Sequence, residues 1–123
     1  MASAFTTAML DEMLNGVTVD LMTLHSGSPG ADGTGNVISA APVVCSFSAA
    51  EADGGSRKRA LAAAVEFTGA TGSTTVAYFG LWKDDPGGDI FKCAIERTSG
   101  DVATNSAGEY NVTTATKFTV AAA

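Results

Sequence analysis

The lone histidine, His25, and its neighbour Ser26 are the residue types from which a hydrolase builds a base and a nucleophile. Consecutive side chains seldom face one another, and no orienting acid or oxyanion hole stands at a recognisable spacing. The sequence therefore predicts a strand-end histidine facing water. Residues 26–35, SGSPGADGTG, have the glycine density of a phosphate loop. They lack its Gly-Lys-Ser/Thr ending, open no helical pattern and carry Asp32, whose charge repels phosphate, so a surface loop is expected. Asp84, Asp85 and Asp89 in DDPGGD cluster carboxylates as calcium requires, but at no calcium-loop spacing, and a tight turn explains the same string. Cys45 and Cys93 fit neither a CxxC redox motif nor zinc spacing. A pair of buried thiols and a cross-strand disulfide both remain open for them. Tyr78 and Trp82, four apart on one strand, would share a face and form a sugar-stacking platform if that face met solvent. A packed aromatic core is the stronger expectation, because the chain has only nine aromatic residues. No catalytic residue, metal ligand or cofactor emerges, and a small-molecule substrate is not expected.

The material that must position these residues is sparse. In 123 residues there are 22 Ala, 14 Gly, 15 Thr and 10 Ser, but only 25 Leu, Ile, Val and Phe together. One domain spanning 1–123 is implied, with a core thin enough to gain from neighbouring subunits. Seven Lys and Arg against thirteen Asp and Glu give a net charge of -6, the wrong sign for neutralising phosphates, so nucleic acid is not an expected partner. Three of the seven basic residues are consecutive, Arg57, Lys58 and Arg59. They read as a solvated turn or strand start, or as a contact for an acidic partner. The N-terminus has no basic and apolar leader and no 18-residue apolar run occurs, so neither a signal peptide nor a membrane span is expected.

Phe5, Met9, Leu10, Met13 and Leu14 recur at helical spacing, which predicts an N-terminal helix over Ala4 to Asn15, within 1–16, capped by Ser3 and stopped by Gly16. Its stripe docks either on its own sheet or on a neighbouring subunit. From 17 to 123 the period is two. Val17, Val19 and Leu21 share one face; Val43, Cys45 and Phe47 alternate behind Pro42; Leu61 to Thr68 form a third strand after the turn-rich 49–56. Thr74 to Lys83 are apolar on both faces, as in a central strand, and DDPGGD turns them into Ile90 to Arg97, where Phe91, Cys93 and Ile95 alternate. After the polar loop 98–108, Tyr110, Val112, Phe118 and Val120 supply one or two last strands. The fold expected is mainly β, an antiparallel β-sandwich of six or seven strands, jelly-roll-like or immunoglobulin-like, with one short N-terminal α-helix. Val65, Phe67, Tyr78, Phe79, Leu81, Trp82, Phe91 and Ile95 are its expected core.

The order of these pieces resembles a family of small tailed-bacteriophage virion structural proteins, labelled minor tail, tail-fibre-like or head decoration proteins. The resemblance rests on the helix, Leu24-His25, the Ser-Pro-Gly loop, Val65-Glu66-Phe67-Thr68, and Val76 to Trp82 followed by Asp84 to Asp89 and Ile90-Phe91. It covers most of the chain in order but consists of strand patterns rather than chemical motifs. The chain departs from it at 49–59 and in the long loop after Arg97. The resemblance implies a β-rich, non-enzymatic virion part, assembled in the host bacterial cytoplasm. Its partners would be copies of itself and major capsid or tail proteins, and it carries over no catalytic residues. A head-decorating role suits a compact domain without coiled coil or fibrous repeat, a minor tail role is the alternative, and a glycan-binding module using Tyr78 and Trp82 is a reading of another class. Contacts are expected from Phe5, Met9, Leu10, Met13 and Leu14, from Arg57, Lys58 and Arg59, and from the loops at 26–36 and 98–108.

Overall fold

In the computed structural model, residues 6–121 are described. One helix, α1 (Thr7–Asn15), precedes nine strands: β1 (Leu21–His25), β2 (Val43–Val44), β3 (Glu51–Asp53), β4 (Ser56–Ala60), β5 (Val65–Phe67), β6 (Tyr78–Lys83), β7 (Ile90–Glu96), β8 (Tyr110–Val112) and β9 (Lys117–Ala121). All pairings are antiparallel. The strands form a four-stranded sheet in the order β2-β1-β6-β7, a three-stranded sheet β3-β4-β9 and a two-stranded sheet β5-β8. The fold is mainly β, sandwich-like, with one short helix.

One cluster joins the three sheets. Met22 and Leu24 of β1, Phe79 and Leu81 of β6, Val65 and Phe67 of β5, Tyr110 and Val112 of β8, and Phe118 of β9 are all buried in it. Leu14 of α1 closes it, and Phe47 meets Phe118 edge-on with ring centroids 5.1 Å apart. These large side chains lie where strand alternation turns them inward, so a small apolar stock suffices for the core.

Several expectations need correction. The helix is capped by Thr6, whose hydroxyl accepts from the Met9 N–H; Ser3, Ala4 and Phe5 lie outside the described residues. Gly16 ends it in right-handed geometry (φ -79°), so this stop does not use glycine's left-handed freedom. Strand β1 begins at Leu21, and the face that enters the main core is Met22 and Leu24 rather than Val17, Val19 and Leu21 together; only Val19 of that set joins the cluster. Strand β1 sits between two strands and is buried on both faces, so alternation in its sequence does not tell inside from outside. Strand β2 is only two residues long, and Phe47 bridges Leu61 separately. The turn-rich 49–56 is part of a hairpin, β3 and β4 around Gly54-Gly55, whose short polar strands give no apolar alternation to read. The DDPGGD turn joins β6 to β7 as expected, but the register slips between Leu81 and Trp82. Cys93 faces Leu81 while Phe91 faces Trp82, leaving Lys92 over. That bulge moves Phe91 out of the face shared by Cys93 and Ile95. Of the expected core, Val65, Phe67, Phe79 and Leu81 are in the main cluster and Ile95 packs partly against it, whereas Tyr78, Trp82 and Phe91 are half-buried outside it.

Candidate functional site

The N-terminal helix docks on its own chain. Leu10 and Leu14 are buried, which removes them from the surface offered to partners, while Met9 and Met13 stay 47% and 45% exposed. The basic triplet lies in β4, and two of its members serve the same docking. Arg57 makes a bidentate pair with Asp11 of α1, Nε to Oδ1 at 2.6 Å and NH2 to Oδ2 at 2.9 Å. That pairing raises the Arg57 pKa further above its ordinary value. Arg59 donates to the carbonyls of Leu14 (3.1 Å), Val17 (2.9 Å), Phe47 (3.2 Å) and Ser48 (2.9 Å), and its guanidinium stands 5.8 Å from the centre of the Phe118 ring. Arg59 thus caps the carbonyl end of the helix, which has no basic residue of its own in its last turn. Arg57 and Arg59 are therefore internal struts rather than a patch held out for an acidic partner. Lys58 approaches Glu51 at 3.9 Å. The helical period and the consecutive basic residues were both visible in sequence; that they meet was not, because 46 residues separate Asp11 from Arg57.

His25 is the second departure, since it is 0% exposed. Its Nδ1 lies 2.7 Å from the Gly35 carbonyl oxygen, which can only accept, so Nδ1 carries the proton. Its Nε2 is then an acceptor, 2.7 Å from the Thr23 hydroxyl, and that hydroxyl in turn accepts from Trp82 Nε1 at 3.0 Å. The result is a directed chain, Trp82 to Thr23 to His25, with the far side of the ring tied to the loop. Burial pulls the His25 pKa below its ordinary value, and the bond to Gly35 opposes this only in part. Gly80 of β6 lies directly beneath. A Cβ there would fall on Thr23 Oγ1 and within 2.7 Å of His25 Nε2. Gly33, at φ +77°, brings the loop down onto the Trp82 and Phe91 rings, whose centroids are 5.1 Å apart. The loop expected at the surface is therefore a cover for this side of the sheet, with Pro29 and Gly33 buried in it. Ser26 points elsewhere, its hydroxyl 3.4 Å from the Asn36 carbonyl, so no Ser–His pair forms.

Both thiols are free. Cys45 follows β2 and Cys93 lies in β7, at opposite edges of a four-stranded sheet. Three strand spacings separate those edges, roughly 14 Å, about twice the reach of a disulfide. Burial, with Asp20 nearby, pushes the Cys45 thiol up to about 11, and burial raises Cys93 as well, so both stay protonated at neutral pH. Among the described residues no group of three or more His, Cys, Asp or Glu gathers as for a metal, and no helix is long and apolar enough to cross a membrane.

A prominent concavity lies on neither the histidine nor the acidic turn. It is an open, mainly apolar groove of about 730 Å³ between β7 and β9, walled by Leu14, Val17, Cys93, Ile95 and Phe118, with Lys92, Glu96 and Lys117 along its rim. A smaller recess of about 240 Å³ beside Trp82 is lined by Thr23, Thr34, Val37, Ser39 and Pro42. The loop at 98–108 is held by Tyr110 Oη donating to the Asp101 carbonyl at 2.6 Å and by Thr104 Oγ1 donating to Thr71 O at 2.6 Å. Comparison with protein-family models, curated proteins and solved structures finds no match for this chain.

Proposed function

We propose that this chain is a non-enzymatic bacteriophage virion structural protein, attached to the particle in multiple copies, as a head decoration or cement protein in preference to a minor tail or tail-fibre-associated one. The observation that carries the reading is the groove between β7 and β9. A thin-cored domain leaves an apolar channel flanked by the edges of two sheets, a surface that gains free energy when another protein covers it. Val44 at 76% exposed, with Met9 and Met13, adds apolar area outside the groove. The loops at 26–36 and 98–108 are pinned by internal hydrogen bonds, which lowers the entropy lost when they meet a partner. The in-order resemblance to small phage virion proteins supplies the class, and the absence of a coiled-coil or fibrous repeat favours the head over the tail. Such a protein would be found in the virion, assembled in the host bacterial cytoplasm, with itself and major capsid or tail proteins as partners.

Mass photometry of the purified chain, alone and with phage capsids or tails lacking it, tests this. Saturable loading of one particle type is expected. A chain that ignores both particles overturns the reading.

The recess beside Trp82 favours one alternative, a module binding host glycan against the indole. Saturable quenching of Trp82 fluorescence by a glycan, lost in Trp82→Ala at unchanged fold, would establish that module in place of the virion role.

A further inference from the structure

Strand β7 ends the order β2-β1-β6-β7, and no described strand pairs with its outer side. Its backbone polarity follows from one bond outside the ladder. The Arg97 N–H donates to the Ala77 carbonyl at 2.9 Å, so the next pair inward, Tyr78 with Glu96, is of the non-hydrogen-bonded kind. Antiparallel pairs alternate, so Phe79 with Ile95 and Leu81 with Cys93 exchange the ladder bonds. Ala94 and Glu96 therefore turn their N–H and C=O groups away from β6, towards open space. Lys92, Ala94 and Glu96 are also exposed in their side chains, and neither Lys92 nor Glu96 has an ion-pair partner among the described residues.

We propose that β7 is a self-pairing edge. A second copy of this chain adds antiparallel along it, with the two-fold axis at Ala94, and the two four-stranded sheets become one of eight. In this register Lys92 of each copy stands opposite Glu96 of the other, so two opposite-charge pairs form at once, flanking two small alanines at the axis. Cys93 of each copy stands opposite Ile95 of the other across the new seam. The neighbouring registers lack this match. Centring on Cys93 or Ile95 sets a charge opposite Ala94, and centring on Glu96 sets two carboxylates against each other. An edge whose charges are self-complementary about one residue suits an isologous contact, which closes as a dimer and does not propagate as a fibre. The pairing deepens the multi-copy part of the virion reading by naming a self-contact, without requiring attachment to a particle.

Sedimentation equilibrium of the full chain over a concentration series tests it, with wild type, Lys92→Glu, Glu96→Lys, Ala94→Pro and the double exchange K92E/E96K. A reversible wild-type dimer is expected. Each single reversal places like charges across the axis and weakens association by at least about tenfold. The double exchange restores it, and so does mixing the two single variants, because all four side chains are then complementary in the heterodimer. Ala94→Pro removes an outward N–H without taking a bond from β6, and abolishes the dimer while the fold survives. A chain that stays monomeric throughout, single reversals that associate like wild type, or a mixture that fails to pair each overturn the proposal. If a charge variant does not fold, Ala94→Pro alone decides. Loss of the dimer with particle loading retained separates failure of this pairing from failure of the virion reading, which shows as a dimer that no particle binds.

Discussion

Replacing Thr23 by Val keeps the shape of a buried side chain and removes one oxygen, and the structure fixes what that oxygen does. Because Gly35 O takes the Nδ1 proton, His25 Nε2 needs a donor, and the Thr23 hydroxyl, 2.7 Å away, is the one it has. The valine leaves an acceptor orphaned at a site with no solvent exposure, which costs about 1–3 kcal/mol. The Trp82 Nε1–H loses its acceptor at the same oxygen, on a side chain that is half-buried. For a domain of this size the loss lowers Tm by about 4–12 °C. The same geometry sets a pH dependence. Burial lowers the folded pKa of His25 below 6.5, so below that pH the unfolded chain binds the proton more readily than the folded one. Stability is complete above pH 6.5 and falls as the pH drops towards the folded pKa, with a slope of up to about 1.4 kcal/mol per pH unit from this one group. With a single histidine in the chain, the window between pH 5 and 6.5 isolates it from the carboxylates. Urea unfolding followed by the fluorescence of the single tryptophan, Trp82, measures both effects. A Thr23→Val variant as stable as wild type, together with wild-type stability flat from pH 5 to 6.5, would refute the neutral, tethered histidine.

Other outcomes follow from the same contacts. Arg59→Leu takes the guanidinium donor from four carbonyls, of which Leu14 O at the end of α1 keeps the Val17 N–H, and should cost about 2–3 kcal/mol. Hydrogen exchange would show residues 7–15 losing protection first. Gly80→Ala drives a methyl group into the Thr23 and His25 side chains and should destabilise by at least about 2 kcal/mol in thermal unfolding, unless the loop over His25 shifts, which a change in Trp82 emission would reveal. Cys45, with its thiol pushed up to about 11 by burial, should resist a thiol reagent at pH 8 until urea unfolds the chain; rapid labelling of Cys45 in the native protein would contradict its placement in the core.

Where short-range physics decides structure, the residues could be read directly. The amphipathic period of 9–14, the turn chemistry of DDPGGD and the apolar character of β6 each follow from side chains within ten positions of one another, and each lies where the sequence puts it. The polar hairpin at 51–60 was hidden because its strands carry charge rather than alternation, and a one-residue bulge at Lys92 moved Phe91 out of the face it shares in sequence with Cys93. The groove between β7 and β9 was equally out of reach, since its walls come from residues 14–17, 92–98 and 117–119.

By itself the sequence determined the class: mainly β, one helix at the start, a small apolar stock spaced for strands, and a surface of net negative charge. Tertiary structure alone decided what the singular residues do. His25 was expected in water and is buried, because the loop that folds back over it ten residues later supplies a carbonyl at hydrogen-bonding distance. Arg57 and Arg59 were expected in solvent and instead hold the helix, because its acid and its terminal carbonyls come to rest against β4. A polar side chain takes the best partner within a few ångströms, and which partner that is depends on contacts between residues far apart in the chain, beyond the reach of local spacing.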